Sequence, residues 1–300
     1  MAQPNLDPMS ANPWLERRVL NYAHQGGARE APSSTLFALR RALDHGASAL
    51  ELDVHATADG ELVVCHDATV DRTTAGTGAI ANLTRADLDR LDNAHWWVPG
   101  EVVATGRPAA DYVHRGKAPA DRAFAIATLA EVLAAFPDTF INLDIKQTAP
   151  AVAPYEGALA TMLDAYGRVD DVIVASFNDL ATAAFKAAAP AVSTSAGTAA
   201  VAEFWRAVQD GAPAPASIAG HAALQVPASF NDTPVVDQAF VERAHDAALA
   251  VHVWTIDDAA EMERLLDLDV DGIMTDRPSV LTEVLDRRGV GFSRRNGRGS

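Results

Sequence analysis

The chain has a single cysteine, a shortage of positive charge and no long apolar run, and each scarcity excludes a class of protein. One cysteine forms no intramolecular disulfide. Cys65 lies inside the apolar run Leu62-Val63-Val64-Cys65 and reads as a core filler, not a nucleophile. With 24 Lys and Arg against 40 Asp and Glu, the formal charge is −16. That balance argues against nucleic acid or an anionic membrane surface as the main partner. The basic clusters near the C-terminus, Arg287-Arg288 and Arg294 to Arg298, read as a frayed end, with residues 290–300 a disordered tail. No stretch reaches the roughly 18 consecutive apolar residues of a membrane span, and the N-terminus has no basic segment followed by an apolar run. Neither signal peptide nor stable membrane association is therefore expected, and a cytoplasmic location is. No G-x-G-x-x-G pattern follows the first predicted strand, which counts against an open doubly wound sheet.

What is present is enough apolar material for a large core, 49% of 300 residues. The most informative stretch runs from Ala49 to Asp67. In Leu50-Glu51-Leu52-Asp53-Val54-His55 apolar and polar residues alternate with the period of a strand, so Glu51 and Asp53 share one face. A second apolar run follows the turn Asp59-Gly60 and ends at His66-Asp67. Upstream, Val19–Ala23 predicts a strand that runs into His24-Gln25-Gly26-Gly27, and Ser33-Ser34-Thr35 can cap a helix carrying Leu36, Leu39 and Leu43 until Gly46 stops it. Between Asp67 and Ile126 periodicity is weak, as in a lid or insertion.

From Thr128 onward strands and helices alternate: strands over Phe140–Lys146, Val172–Phe177, Val192–Ala196, Ala223–Val226, Val251–Ile256 and Gly272–Thr275, with helices between them. The total is nine strands, one of which is an extra hairpin arm or merges with its neighbour. The pattern predicts a single (β/α)8 TIM barrel over 19–289, preceded by an extension over 1–18 and carrying an irregular insertion at about 94–122 after the third strand.

In such a barrel the reacting groups come from the C-terminal strand ends. Those ends carry His24, Glu51, Asp53, His66, Asp144, Lys146 and Trp254. Carboxylates crowded at one mouth repel unless a cation compensates, and an all-oxygen set suits Mg²⁺ or Ca²⁺. Such an ion holds phosphoryl oxygens, while two histidines supply base and acid. The predicted chemistry is phosphodiester cleavage on a small molecule. Trp254 is read as core or as substrate wall, His252 as core or as a support behind the site, and His55, which shares the parity of the acid pair, is left outside the site.

Nine segments extend the pattern. They include His24-Gln25-Gly26, Glu51-Leu52-Asp53-Val54, Val64-Cys65-His66-Asp67, Asn142-Leu143-Asp144-Ile145-Lys146, Val253-Trp254-Thr255 and Asp271-Gly272-Ile273-Met274-Thr275-Asp276-Arg277-Pro278. In order and spacing the chain resembles the glycerophosphodiester phosphodiesterase family from about Tyr22 to Leu285. The resemblance implies a metal-dependent TIM barrel that hydrolyses glycerophosphodiesters to glycerol phosphate and an alcohol. It places acid and base on His24 and His66, metal carboxylates on Glu51, Asp53 and Asp144, and a phosphate-binding lysine on Lys146. Three positions depart from the family pattern. Gln25 stands where His-Arg-Gly has arginine, so as a substrate-binding residue it offers a neutral amide, with Arg29 or Lys146 left to compensate. Ser33-Ser34 replaces the Glu-Asn of Pro-Glu-Asn-Thr, and Asp144 replaces a glutamate. These departures motivate two other readings, a lysophospholipid- or sphingomyelin-type lipid phosphodiesterase and a non-catalytic phosphate-binding barrel.

Overall fold

The structure, a computed structural model, describes residues 12–290. The strands are β1 Leu20–His24, β2 Ala49–Ala56, β3 Leu62–Val64, β4 Phe140–Ile145, β5 Val172–Ala175, β6 Ser193–Thr194, β7 Ala223–Pro227, β8 Ser229–Phe230, β9 Thr233–Pro234, β10 Ala250–Trp254 and β11 Gly272–Thr275. Eight of them form one parallel sheet in the order β6-β5-β4-β2-β1-β11-β10-β7. Its two ends meet through a parallel bridge between Ser195 and Ala223, so the sheet closes into a TIM barrel. The closing seam is thin because β6 is only two residues long, shorter than the run Val192–Ala196 suggests. The ninth predicted strand is the hairpin arm: β3 pairs antiparallel with β2, Val54 opposite Val64 and Ala56 opposite Leu62.

The helices are α1 Pro13–Glu16, α2 Leu36–Asp44, α3 Arg85–Leu88, α4 Leu129–Ala135, α5 Glu156–Ala165, α6 Asp179–Ala188, α7 Thr198–Gln209, α8 Gln238–Asp246, α9 Ala259–Asp267 and α10 Pro278–Arg288. Local sequence sets their ends. Thr35 caps α2 by accepting from the Ala38 N–H, and Thr128 with Glu131 forms a reciprocal capping box on α4. Asn178, Asp237 and Asp258 cap α6, α8 and α9 in the same way. Among the described residues no helix is long and apolar enough to cross a membrane.

Strand parity decides which side chains reach the barrel interior. Leu50, Leu52 and Val54 of β2 pack outward with Ile141 and Leu143 of β4 against Leu39, Leu133 and Leu159 of the helices. Glu51 and Asp53 must then point inward. The opposite wall is built alike, with Leu224, Val226, Val251 and Val253 under Phe204, Phe240 and Met262.

The N-terminal end of the barrel is stoppered. Trp14 of α1 is fully buried among Leu20, Tyr22, Phe140 and Met274, and its indole N–H donates to Ser193 Oγ at 2.9 Å. Asn12 Nδ2 donates to the carbonyls of Ala222 (2.7 Å) and Ala248 (2.8 Å). Residues 12–18, grouped by sequence with an extension, are therefore part of the barrel floor. Residues 1–11 of that extension and the predicted tail from 291 lie outside the described residues. The insertion is irregular, as its weak periodicity suggests. It docks beside the first loop, where the Trp97 indole donates to the Ala28 carbonyl at 3.0 Å and His114 stacks between Trp97 and Phe124.

Candidate active site

At the C-terminal mouth His24 ends β1, Glu51 and Asp53 project from β2, Asp144 projects from β4 and Lys146 follows it, while His66 follows the hairpin arm. Register brings them level: His24 lies beside Glu51, and Asp53 beside Asp144. All six line one cavity of about 240 Å³. The loop after β1 turns tightly through three left-handed residues, Gln25 (φ 53°), Gly26 (φ 83°) and Gly27 (φ 83°). A Cβ on Gly26 would lie 2.9 Å from the Ala38 Cβ, so that position requires glycine both for its φ and for the close approach of α2.

Each histidine is held by a carboxylate. His24 Nδ1 lies 2.7 Å from Asp276 Oδ1, and His66 Nδ1 lies 2.6 Å from Asp67 Oδ1. Arg72 Nε donates to the other oxygen of Asp67 at 2.6 Å. With Nδ1 engaged by a carboxylate, proton transfer falls to Nε2 in both rings. The rings face one another at 6.0 Å between centroids and 85° between planes. Burial works to lower the pKa of His24, but Glu51, Asp276 and Asp53 outweigh it and push it up to about 9. The hydrogen bond from His66 holds Asp67 well below the usual carboxylate range; partial burial opposes this and Arg72 adds to it.

Beneath the histidines lie three buried carboxylates. Burial and then the charge of Asp53 raise the pKa of Glu51, with His24 acting against them. Burial likewise raises Asp144, with Lys146 opposing. The Lys146 ammonium stands between two of the acids, 3.0 Å from Asp53 Oδ1 and 3.4 Å from Asp144 Oδ2. The remaining oxygens, Asp53 Oδ2 and Asp144 Oδ1, are buried without hydrogen-bond partners. Unpaired buried carboxylate oxygens are costly. A hard divalent ion would satisfy them, and the all-oxygen donors fit Mg²⁺ or Ca²⁺. Among the described residues no three acidic, histidine or cysteine side chains are already drawn together to hold an ion. The carboxylates border one space, but the lysine occupies the position between two of them.

The rest of the cavity wall is different. Ala175, Phe177, Ala196, Val201, Trp254 and Met274 give it an apolar face, broken by the neutral side chains of Ser176, Ser195, Thr198 and Thr255, with Phe177 and Trp254 edge to face at 5.5 Å. Trp254 thus joins the wall. The floor carries Asn142 and Gln225, whose Nε2 donates to Asn142 Oδ1 at 2.8 Å.

The chain was compared with known proteins. Residues 24–280 match the model of the glycerophosphoryl diester phosphodiesterase family. A glycerophosphodiester phosphodiesterase of Caldanaerobacter subterraneus subsp. tengcongensis is 31% identical over 280 residues, covering 91% of this chain and all of the relative. The chain belongs to the glycerophosphoryl diester phosphodiesterase family. Its barrel superposes on a glycerophosphodiester phosphodiesterase from Agrobacterium tumefaciens with a TM-score of 0.67 at 23% identity, covering 88% of this chain and 99% of the other. It also superposes on an Oleispira antarctica phosphodiesterase in complex with sn-glycerol-3-phosphate, with a TM-score of 0.66 at 22% identity, covering 91% and 99%.

Against the pattern of this family, the structure sorts the sequence-based candidates. His24, Glu51, Asp53, His66, Asp144, Lys146 and Trp254 all line the cavity. Gln25 does not: it is buried behind His24, where its amide nitrogen lies 3.1 Å from His24 Nε2. Arg29 is also engaged elsewhere, with Asp257 at 2.9 Å and the Gly100 carbonyl. Lys146 is the one lysine or arginine in the cavity wall among the described residues. His55 is buried with Nε2 3.5 Å from the His66 carbonyl, and His252 is fully buried in the floor, as its core reading has it.

Sequence reasoning passed over Asp276 and Phe177. Asp276 was within reach, because it follows β11, and a closed barrel must seat the last strand beside β1. Phe177 was assigned to the end of a strand, whereas β5 stops at Ala175 and leaves Phe177 in the loop at the mouth.

Proposed function

We propose that the protein hydrolyses a glycerophosphodiester to glycerol phosphate and an alcohol. The observation that carries this reading is the pair of carboxylate-held histidines facing across 6.0 Å above three buried carboxylates. One imidazole takes the proton from the attacking hydroxyl, of water or of the substrate, and the other gives a proton to the leaving alkoxide. Asp276 and Asp67 keep each ring in one tautomer, and Asp276 stabilises the charged form of His24. Lys146 binds a phosphoryl oxygen as a point charge. Glu51, Asp53 and Asp144 would hold a Mg²⁺ or Ca²⁺ ion, whose chemistry when bound is to neutralise charge developing on the phosphoryl oxygens. Phe177 and Trp254 border the carbon portion of the substrate.

A second reading rests on Phe177, which is 57% exposed in the apolar wall, and on Leu180, three residues further along and 73% exposed. An acyl chain lying over this rim would make a lysolipid diester the substrate. One assay separates the readings: metal-depleted protein, resupplied with Mg²⁺ or Ca²⁺, is given soluble glycerophosphodiesters and lysolipids, and the phosphorus products are followed. Turnover of soluble diesters that disappears with EDTA is expected. Turnover of lysolipids alone would transfer the assignment to the second reading. No turnover of either class would leave a binding protein, and full activity after verified metal depletion would remove the ion.

A further inference from the structure

The residue after His24 does not reach the cavity, although His24 itself lines it. Gln25 is 3% exposed and absent from the cavity wall, and every hydrogen bond it makes inside the protein ties part of the site together. Its backbone N–H donates to the Glu51 carbonyl at 3.0 Å and lies 3.2 Å from the Glu51 carboxylate Oε2. Its carbonyl accepts from the Ser34 N–H at 2.8 Å, which anchors the start of the α2 turn. Its side-chain Nε2 lies 3.1 Å from His24 Nε2.

The proton on His24 is placed by its other partner. Asp276 accepts from Nδ1–H; on the neutral ring Nε2 then carries the lone pair and the Gln25 amide N–H donates to it, while on the imidazolium the amide turns over and Oε1 accepts from Nε2–H. The imidazole is then fixed at both nitrogens, by a carboxylate from β11 and by an amide from its own loop. We propose that Gln25 is a positioning residue for His24: it aims Nε2 of that ring and does not bind phosphate. The left-handed backbone at Gln25 makes this possible, because it folds the side chain back over the preceding residue instead of outward into the mouth. Gln25 Oε1 is buried without a partner, so a half-turn of the amide would put an acceptor at the same place with no bond lost. Two consequences follow for the site. The phosphate grip falls to Lys146 among the cations of the cavity wall, and the orientation of His24 depends on an amide that never touches substrate.

The inference rests on the reading of His24 as a proton-transfer group, and His24→Ala tests that reading by itself. Gln25→Met keeps the buried volume and removes the hydrogen bond. It is expected to lower kcat about threefold to tenfold, the scale of one neutral hydrogen bond. KM and the inhibition constant of inorganic phosphate should stay within about twofold, since no phosphate contact is lost. Combined with His24→Ala, Gln25→Met should have no further effect on kcat, because its influence passes through the missing ring. Gln25→Asn, which keeps a buried amide too short to reach Nε2, should reproduce the fall in kcat if the methionine variant does not fold. In protein labelled with ¹⁵N histidine, both variants should shift the His24 Nε2 resonance while Nδ1, held by Asp276, keeps its own. A rise in KM and in the phosphate constant at unchanged kcat would make Gln25 a phosphate ligand and overturn the proposal. Unchanged kinetics, or an undiminished effect in the absence of His24, would overturn it too. Near wild-type activity of His24→Ala alone would instead defeat the underlying reading.

Discussion

The two sides of the barrel mouth are built from the same parallel strands yet carry opposite side chains. On β1, β2 and β4 the inward positions at the C-terminal end are His24, Glu51, Asp53 and Asp144, with Lys146 following. Across the cavity, the strand ends and loops of β5, β6 and β10 present Ala175, Phe177, Ala196 and Trp254. Backbone geometry therefore does not separate the halves, since both use the same parity and the same end of the sheet. Only the residue types do. One half can move protons and hold charge, and the other, apolar apart from neutral groups such as Ser176, Ser195 and Thr198, shapes what enters. Asp276 is the exception that crosses the division, coming from β11 to hold His24 from behind. The division makes a quantitative claim: damage to the charged half should fall on kcat, and damage to the apolar half should fall on KM or on stability.

The largest effect expected from this division is at the histidines. His24→Ala and His66→Ala should each lower kcat by about 10² or more, the scale of one general acid or base, in steady-state assays with the ion present. A loss below about tenfold in either would remove that ring from proton transfer and leave the charged half as a binding site.

A smaller effect tests how strictly the other half rejects charge. His252 of β10 is fully buried, with its ring 5.0 Å from that of Tyr22 and 6.5 Å from that of Trp14, and its Nδ1 is 3.4 Å from Gln225 Nε2. Its other nitrogen is buried without a partner. Burial alone lowers its pKa to about 3. The unfolded chain, where histidine titrates near pH 6.5, therefore takes up the proton first as the solution is acidified. The stability due to neutral His252 is complete above about pH 6.5 and is lost as pH falls toward 3, amounting to about 2 kcal/mol by pH 5. Denaturant titrations at pH 7 and pH 5 should show this difference in the native protein, and His252→Gln should reduce it. An equal loss in both would mean that the interior accommodates the charge.

How much of this was legible in the sequence follows from the physics of each half. The alternation in Leu50 to His55 fixed the inward face of β2 without any tertiary information, because parity is local. The strand-helix alternation after Thr128 gave the barrel, because each strand needs a covering helix. What stayed hidden depends on contacts distant in the chain. Gln25 looked like a cavity residue by its place beside His24, but its left-handed backbone turns the side chain away, and no composition rule reports a φ angle at a non-glycine position. The Trp14 stopper was missed because Pro13–Glu16 is too short to show periodicity, and it is ordered by the barrel floor it fills. The lysine between Asp53 and Asp144 could be read as paired with Asp144 from their spacing, whereas its shorter contact, to Asp53, crosses between strands.

The smallest effect bears most directly on the apolar half. Phe177 projects from the loop after β5, 57% exposed, with Trp254 edge to face at 5.5 Å and the Lys146 ammonium 5.8 Å from its ring centroid. A residue this exposed contributes little to folding, so its truncation should leave the melting temperature almost unchanged. Its ring can bury itself only against a ligand, and aromatic contacts of this kind are worth about 0.5–1.5 kcal/mol. Phe177→Ala should therefore raise KM about threefold to tenfold while kcat changes by less than about twofold. The loss should grow with the apolar area of the alcohol portion, because more of the ring is covered by a longer chain. Measured on a series of glycerophosphodiesters of increasing alcohol length, a KM penalty that stays flat would show that Phe177 contacts the glycerol end. A penalty that appears in kcat instead would mean that the two halves act as one, with the Lys146 ammonium, 5.8 Å from the ring centroid, as the link.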